Sequence, residues 1–211
     1  MPHKTLYILL ALLLFSCNKK ETLKISVKNV VTGEPVAGNY ISIVEIFNVS
    51  DGVSGSKTKD FYSGQTNSEG VLFITEKFNK NRRYTVKVGK FTEDVCYINK
   101  SNEQWYVGAN TEINFEYAPC ANLKFRYQNI SCIDENDRIE VYRYTNLPKY
   151  AGFLINAVYE GCADYTMPNF VEVPMGWWFF EWTVTKNGVT ENFTDSFYLS
   201  NGQQKKYEFQ Y

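Results

Sequence analysis

Apolar and polar residues alternate along much of the chain with the period of two that belongs to a strand lying half in a core, as in Leu23-x-Ile25-x-Val27 and Tyr84-x-Val86-x-Val88. Turn signals separate these runs, among them Thr32-Gly33-Glu34-Pro35, Asn67-Ser68-Glu69-Gly70 and Lys186-Asn187-Gly188. Lys186-Asn187-Gly188-Val189 is the strongest hairpin, because Asn-Gly tolerates the positive φ of a tight two-residue turn. No stretch shows the 3.6-residue period of a convincing amphipathic helix. The pattern predicts an all-β chain built from antiparallel β-sandwiches.

The pattern also repeats. Leu23-Lys24-Ile25-Ser26-Val27-Lys28-Asn29-Val30 matches Leu123-Lys124-Phe125-Arg126-Tyr127-Gln128-Asn129-Ile130 at an offset of 100. Ile41-Ser42-Ile43-Val44 matches Ile139-Glu140-Val141-Tyr142 at 98, and Tyr84-Thr85-Val86 matches Trp182-Thr183-Val184 at 98. Phe61 to Gly64 matches Val158 to Gly161, and the tails ending at Tyr117 and Tyr211 also align in order. A duplicated unit follows, with tandem immunoglobulin-like β-sandwich domains over 22–118 and 121–211 and Ala118-Pro119-Cys120 as the joint.

Alternation assigns faces in the most aromatic segment, Trp177-Trp178-Phe179-Phe180-Glu181-Trp182. Trp182 aligns with Tyr84, whose partners Val86 and Val88 read as core, so Trp178, Phe180 and Trp182 should point inward. Trp177 and Phe179 then point outward beside Glu181 and form a candidate ligand or partner patch. The expected cover is the chain's own loop Asn146 to Asn156, with Leu147, Pro148, Tyr150, Phe153 and Leu154. A partner protein or a sugar is the alternative.

Composition mostly excludes. The one histidine is His3, at the far amino end, so Ser-His-Asp and Cys-His activation and His-containing metal sites have no residues to use in the rest of the chain. No Gly-x-Gly-x-x-Gly, P-loop or Cys-x-x-Cys motif is present. The charge balance, 22 basic against 23 acidic residues, gives no footprint for nucleic acid. Asp134-Glu135-Asn136-Asp137 could offer oxygen ligands to calcium but lacks the glycine and distant glutamate of an EF-hand loop, and reads as a solvated acidic turn. A glycosidase needs two carboxylates about 5 to 9.5 Å apart across a cleft, and the longest loop contains no acid. The expectation is therefore no enzyme, no catalytic residues, no cofactor and no metal.

Residues 1–16 have the form of a secretory signal, with His3 and Lys4, the apolar run Leu6 to Phe15, and Ser16 before Cys17. The run is too short to span a bilayer, which takes about 20 apolar residues. Leu14-Phe15-Ser16-Cys17 resembles a lipobox, and Cys17-Asn18-Lys19-Lys20-Glu21 is similar to the start of lipoproteins of the Bacteroidetes. The resemblance implies cleavage after residue 16, lipidation of Cys17, a linker over 17–21, and anchoring at a membrane of the cell envelope, expected to be the outer membrane on its periplasmic or surface face. Leu14 speaks against ordinary signal cleavage, which favours a small residue at that position. Loss of the leader removes Lys4 and no acid, leaving 21 basic and 23 acidic residues.

A second resemblance rests on Thr32-Gly33-Glu34-Pro35-Val36-Ala37-Gly38, Gln65-Thr66-Asn67-Ser68-Glu69-Gly70 and Tyr84-Thr85-Val86-Lys87-Val88. Together these resemble the carboxypeptidase regulatory-like, or transthyretin-like, β-sandwich over roughly 22–117, with Asn67 where that family usually has Asp. It implies an accessory, non-catalytic module of exported bacterial proteins and names no ligand.

Four cysteines follow Cys17, and an even number in an exported chain reads as two disulfides. Cys120 and Cys132 flank one predicted strand and lie too far apart to bridge. That leaves Cys96–Cys120 with Cys132–Cys162, or Cys96–Cys132 with Cys120–Cys162, and the first is preferred because it joins Cys120 to the last hairpin of the first unit. The functional expectation is a membrane-anchored structural or protein-binding envelope module, with a glycan-binding surface lipoprotein of a polysaccharide-uptake system as the alternative.

Overall fold

The computed structural model describes residues 20–49, 55–89, 94–108, 111–147 and 156–211. The leader 1–16, Cys17, and the loop residues Pro148, Tyr150, Phe153 and Leu154 lie outside them. Among the described residues there are fifteen strands and no helix. In chain order they are β1 (Glu21–Asn29), β2 (Tyr40–Val49), β3 (Gly55–Gln65), β4 (Val71–Glu76), β5 (Arg83–Val88), β6 (Val95–Ile98), β7 (Asn102–Tyr106), β8 (Glu112–Gln128), β9 (Arg138–Thr145), β10 (Ala157–Glu160), β11 (Asp164–Thr166), β12 (Val171–Pro174), β13 (Gly176–Lys186), β14 (Val189–Leu199) and β15 (Gln204–Gln210). The all-β class and its antiparallel sheets follow the alternation in the sequence.

The chain divides into two compact units, the first within residues 1–28, 35–90 and 100–115, the second within 29–34, 91–99 and 116–211. The residues read as a joint, Ala118-Pro119-Cys120, lie inside β8 and form no loop. Pro119 cannot donate to a ladder, and it sits opposite Val95 at an irregularity in the β6–β8 pairing, a position where proline is tolerated.

Each unit pairs its strands on one plan. The first has a sheet ordered β3-β2-β5-β7 and the second a sheet ordered β10-β9-β13-β14. The remaining strands repeat as well: β4 runs antiparallel to β1, as β11 and β12 do to the later part of β8. The last strand of each copy lies beside the first, β15 running parallel to β8 and the start of β8 lying along β1, with Lys24 Nζ 3.0 Å from Glu112 Oε1. Asn29 and Asn129 occupy the same turn, each accepting the backbone N–H two residues on, from Val31 at 2.9 Å and Ser131 at 3.3 Å.

The copies differ in register. Ile41 faces Val88 and Ile139 faces Val184, so the strand carrying Trp182 is displaced to an offset of 96 while its neighbour keeps 98. A slip of two residues returns every side chain to its own face, so the inward and outward assignments survive it.

Leu23, Ile25, Val27, Ile41, Ile43, Tyr84 and Val86 are buried in the first unit. Phe125, Tyr127, Ile139, Val141, Trp178, Phe180 and Phe209 form the core of the second. Parity also drives Arg143 inward. Its guanidinium lies 4.9 Å from the Phe125 ring centroid and Nη1 donates to the Tyr127 hydroxyl at 3.4 Å. Burial holds the Tyr127 phenol above its ordinary pKa.

Two of the three segments behind the family resemblance meet in the first unit, at Pro35–Val36 and at Thr66–Gly70. Gly70 has φ +67°, and an added Cβ would stand 2.6 Å from the Val27 carbonyl and 2.8 Å from the Val36 amide. Thr66 Oγ1 donates to the Val36 carbonyl at 2.6 Å, and Asn67 Oδ1 accepts from the amides of Glu69 and Val71. These motifs therefore build a turn.

Candidate functional site

The site grows from the alternation of β13. Trp178 and Phe180 are buried at 0% and 1% exposure, whereas Trp177 remains 45% exposed. Phe179 is half-buried and Glu181 exposed on the same outward face as Trp177. Pairing extends the face sideways, since β9 sets Tyr144 opposite Phe179 and Tyr142 opposite Glu181, while β14 sets Tyr198 opposite Trp177.

The result is a row of five rings across three strands. Centroids lie 5.5 Å apart for Tyr142 and Tyr144, 5.2 Å for Tyr144 and Phe179, 6.4 Å for Phe179 and Trp177, and 5.7 Å for Trp177 and Tyr198. Tyr144, Phe179 and Trp177 lie near parallel, with interplanar angles of 18° and 27° between successive rings. Contacts of this kind contribute about 0.5 to 1.5 kcal/mol each beyond burial, so the row is pre-organised. The Tyr144 hydroxyl donates to Glu181 Oε1 at 2.9 Å, and that bond to a carboxylate raises the phenol's pKa. Two shallow depressions meet at Glu181, one of about 350 Å³ bordered by Tyr144, Phe179 and Ser196 and one of about 290 Å³ bordered by Tyr142, Thr183 and Asn192.

Sequence reasoning named Trp177 and Phe179 and missed Tyr142, Tyr144 and Tyr198. The signal was available for two of them: once Ile139 and Val141 are inward, the same parity sends Tyr142 and Tyr144 outward. Leu147, from the loop expected to cover these rings, is buried instead in a small cluster with Tyr97, Ala118 and Met175. The other covering residues lie outside the described part of the chain.

No family model matches the chain. No curated protein matches it either. Solved structures give distant likenesses. The Bacillus anthracis TIE protein is 16% identical over 91% of this chain and 34% of that one, with a TM-score of 0.35. The shaft pilin SpaA from Lactobacillus rhamnosus GG is 8% identical over 91% of this chain and 97% of that one, with a TM-score of 0.37. GBS52, the minor pilin of Streptococcus agalactiae, is 9% identical over 90% and 94%, with a TM-score of 0.32. This chain spans about a third of the length of the TIE protein. Likenesses at this level carry nothing about what the chain binds.

The other candidates resolve into structural roles. Cys96 is bonded to Cys120 and Cys132 to Cys162, with Cα separations of 4.9 and 5.2 Å, which is the preferred pairing. Both bonds lie inside the second unit, because β6, which carries Cys96, groups there and not with the first unit. The acidic turn is less solvated than its composition suggests. Asp137 is fully buried, and its Oδ2 accepts 2.9 Å bonds from the Ile133 amide and from Asn129 Nδ2, which hold the carboxyl below its usual pKa. Asp134 Oδ1 accepts from the Asn136 amide at 2.8 Å, so this carboxylate shapes the turn. Lys186 Nζ closes the same network on Asn129 Oδ1 at 2.8 Å.

Proposed function

We propose that the chain is a lipid-anchored, non-catalytic module of the cell envelope that binds a partner through the outer face of its second sandwich. The observation that carries this reading is the contrast between the two copies of one fold. On the equivalent face of the first copy, β2 and β5 set Ser42, Val44, Ile46, Arg83, Thr85 and Lys87, and the rings there, Tyr40 at the start of β2 and Tyr106 on β7 opposite Arg83, stand at opposite ends of the sheet and form no row. The central strands of the second copy set Tyr142, Tyr144, Trp177 and Phe179 there. The same pairing plan folds with and without the aromatic row, so the row serves something other than the plan. Tryptophan and tyrosine are the residues that anchor protein interfaces. The lipobox-like stretch Leu14-Phe15-Ser16-Cys17 and the resemblance of 22–117 to carboxypeptidase regulatory-like modules support an exported, tethered and non-catalytic protein.

Three measurements test this. Mass spectrometry of the mature amino terminus is expected to find acyl chains on Cys17, and an unmodified soluble terminus overturns the anchor. The W177A/F179A double variant is expected to melt roughly 3 to 10 °C below the wild type, because it deletes one exposed and one half-buried ring whose three ring contacts contribute about 0.5 to 1.5 kcal/mol each. A photo-crosslinker at position 198 should capture a discrete envelope component in the wild type and lose it in the double variant. A much larger fall in melting temperature with no captured component shows that the rings are covered from within the molecule.

A further inference from the structure

We propose that the occupant of this face is a cationic segment of a partner protein, with lysine or arginine side chains laid over the rings and one of them paired with Glu181. This rests on the reading of the face as a recognition surface and names the chemistry it selects.

The charges on the face decide the class. Among the described residues, the outward positions of β9, β10, β13 and β14 carry three carboxylates, Glu140, Glu160 and Glu181, against one cation, Arg138. Arg138 is already held at the far end of the sheet, in contact with Glu140 and 3.9 Å from Glu160. Glu181 stands among the rings, opposite Tyr142 and two residues from Phe179, where its hydrogen-bonding neighbour is the neutral Tyr144 hydroxyl. Aromatic faces are themselves the negative ends of a quadrupole, so rings and carboxylate attract a cation together. The equivalent strands of the first unit carry Arg83 and Lys87 outward against Asp60, so the two faces differ in the sign of their balance as well as in the arrangement of their rings. An anionic segment is repelled by this arrangement. A neutral sugar could stack on the rings but gains nothing from the charge of Glu181. Arginine suits the site best, since its planar guanidinium stacks on a ring while its N–H groups reach a carboxylate.

The test uses the full chain and three probes: a nonamer of arginine, a nonamer of glutamate, and the neutral oligosaccharide cellohexaose. Binding is read from tryptophan fluorescence and from NMR shifts of the Trp177 indole. The arginine peptide is expected to bind saturably, to weaken as salt rises from roughly 50 to 500 mM, and to shift the Trp177 indole more than the buried Trp178 indole. E181Q should weaken it roughly tenfold, and Y142A/W177A by at least as much, while all three proteins melt within roughly 10 °C of one another. Absence of saturable binding by the arginine peptide, or an E181Q affinity equal to wild type, overturns the cationic class. If cellohexaose binds instead and Y142A/W177A abolishes it, the recognition surface stands and the cationic partner falls. If Y142A/W177A lowers the melting temperature far beyond that range and no probe shifts the Trp177 indole, both readings fall.

Discussion

Replacing Cys132 and Cys162 with serine is expected to reduce the stability of the second unit by about 3 to 4 kcal/mol. The bond closes a loop over a sequence separation of 30 residues, and a crosslink of that span removes about this much conformational freedom from the unfolded chain. The native state loses support as well. The Asn129 amide donates to the Gly161 carbonyl and to Asp137, and the Gly161 amide donates to the Asp137 carbonyl at 2.7 Å, all within a few residues of Cys132 and Cys162. Without the crosslink, the buried Asp137 carboxylate is held only by that network, and opening it exposes the end of the sheet. Cys96–Cys120 has a separation of 24 and an expected contribution of similar size, so reduction of both should consume most of the margin of an ordinary domain. Urea unfolding of the oxidised protein, the C132S/C162S variant and the fully reduced protein measures this. Coincident midpoints would show that the bonds add nothing to the folded state.

The sequence was most legible where a side chain's fate depends on local parity alone. Period-two alternation sorts Trp177 from Trp178 whichever strands lie alongside, and a register slip of two residues leaves that sorting intact. Asn187 and Gly188 were legible for a similar reason. Both take positive φ, 49° and 73°, and the turn chemistry needed no knowledge of the rest of the fold. The disulfide pairing was legible in part: the spacing of Cys120 and Cys132 excluded one connectivity and left two. The pairing preferred between them is the one present, although Cys96 lies in the second unit and makes no tie to the first.

What stayed hidden depends on partners distant in sequence. Tyr198 joins the aromatic row only because β14 pairs with β13 in a register that sets it opposite Trp177. The acidic turn looked solvated because four polar residues in succession carry no sign of the Asn129 amide that draws Asp137 inward from eight residues upstream. The course of the chain between the two repeats depends on distant partners as well. Proline and cysteine suggest a break, yet Pro119 sits at an irregularity in the pairing, and its carbonyl accepts from the Met175 amide at 2.8 Å. β8 therefore continues through it.

Adjacent tryptophans on β13 should respond oppositely to the same substitution. Trp178 is fully buried, and its indole Nε1 donates to the Pro174 carbonyl at 3.0 Å. W178A removes that ring from a core containing Phe125, Phe180 and Phe209, leaves a cavity, and strands a buried carbonyl without its donor. Loss of a buried aromatic costs about 3 to 5 kcal/mol. For a chain of this size that corresponds to a fall in melting temperature of roughly 10 °C or more. W177A removes a ring that is 45% exposed and rests against Phe179 and Tyr198, so about 1 to 2 kcal/mol is expected. Emission should separate the two as well, because W178A deletes a buried, blue-shifted component and W177A a solvent-facing one. Thermal unfolding followed by circular dichroism, with emission spectra of the folded variants, decides the matter. Equal losses, or a greater loss for W177A, would mean that β13 presents the opposite face to the core, and the aromatic row would then be packing within the protein rather than a surface offered to a partner.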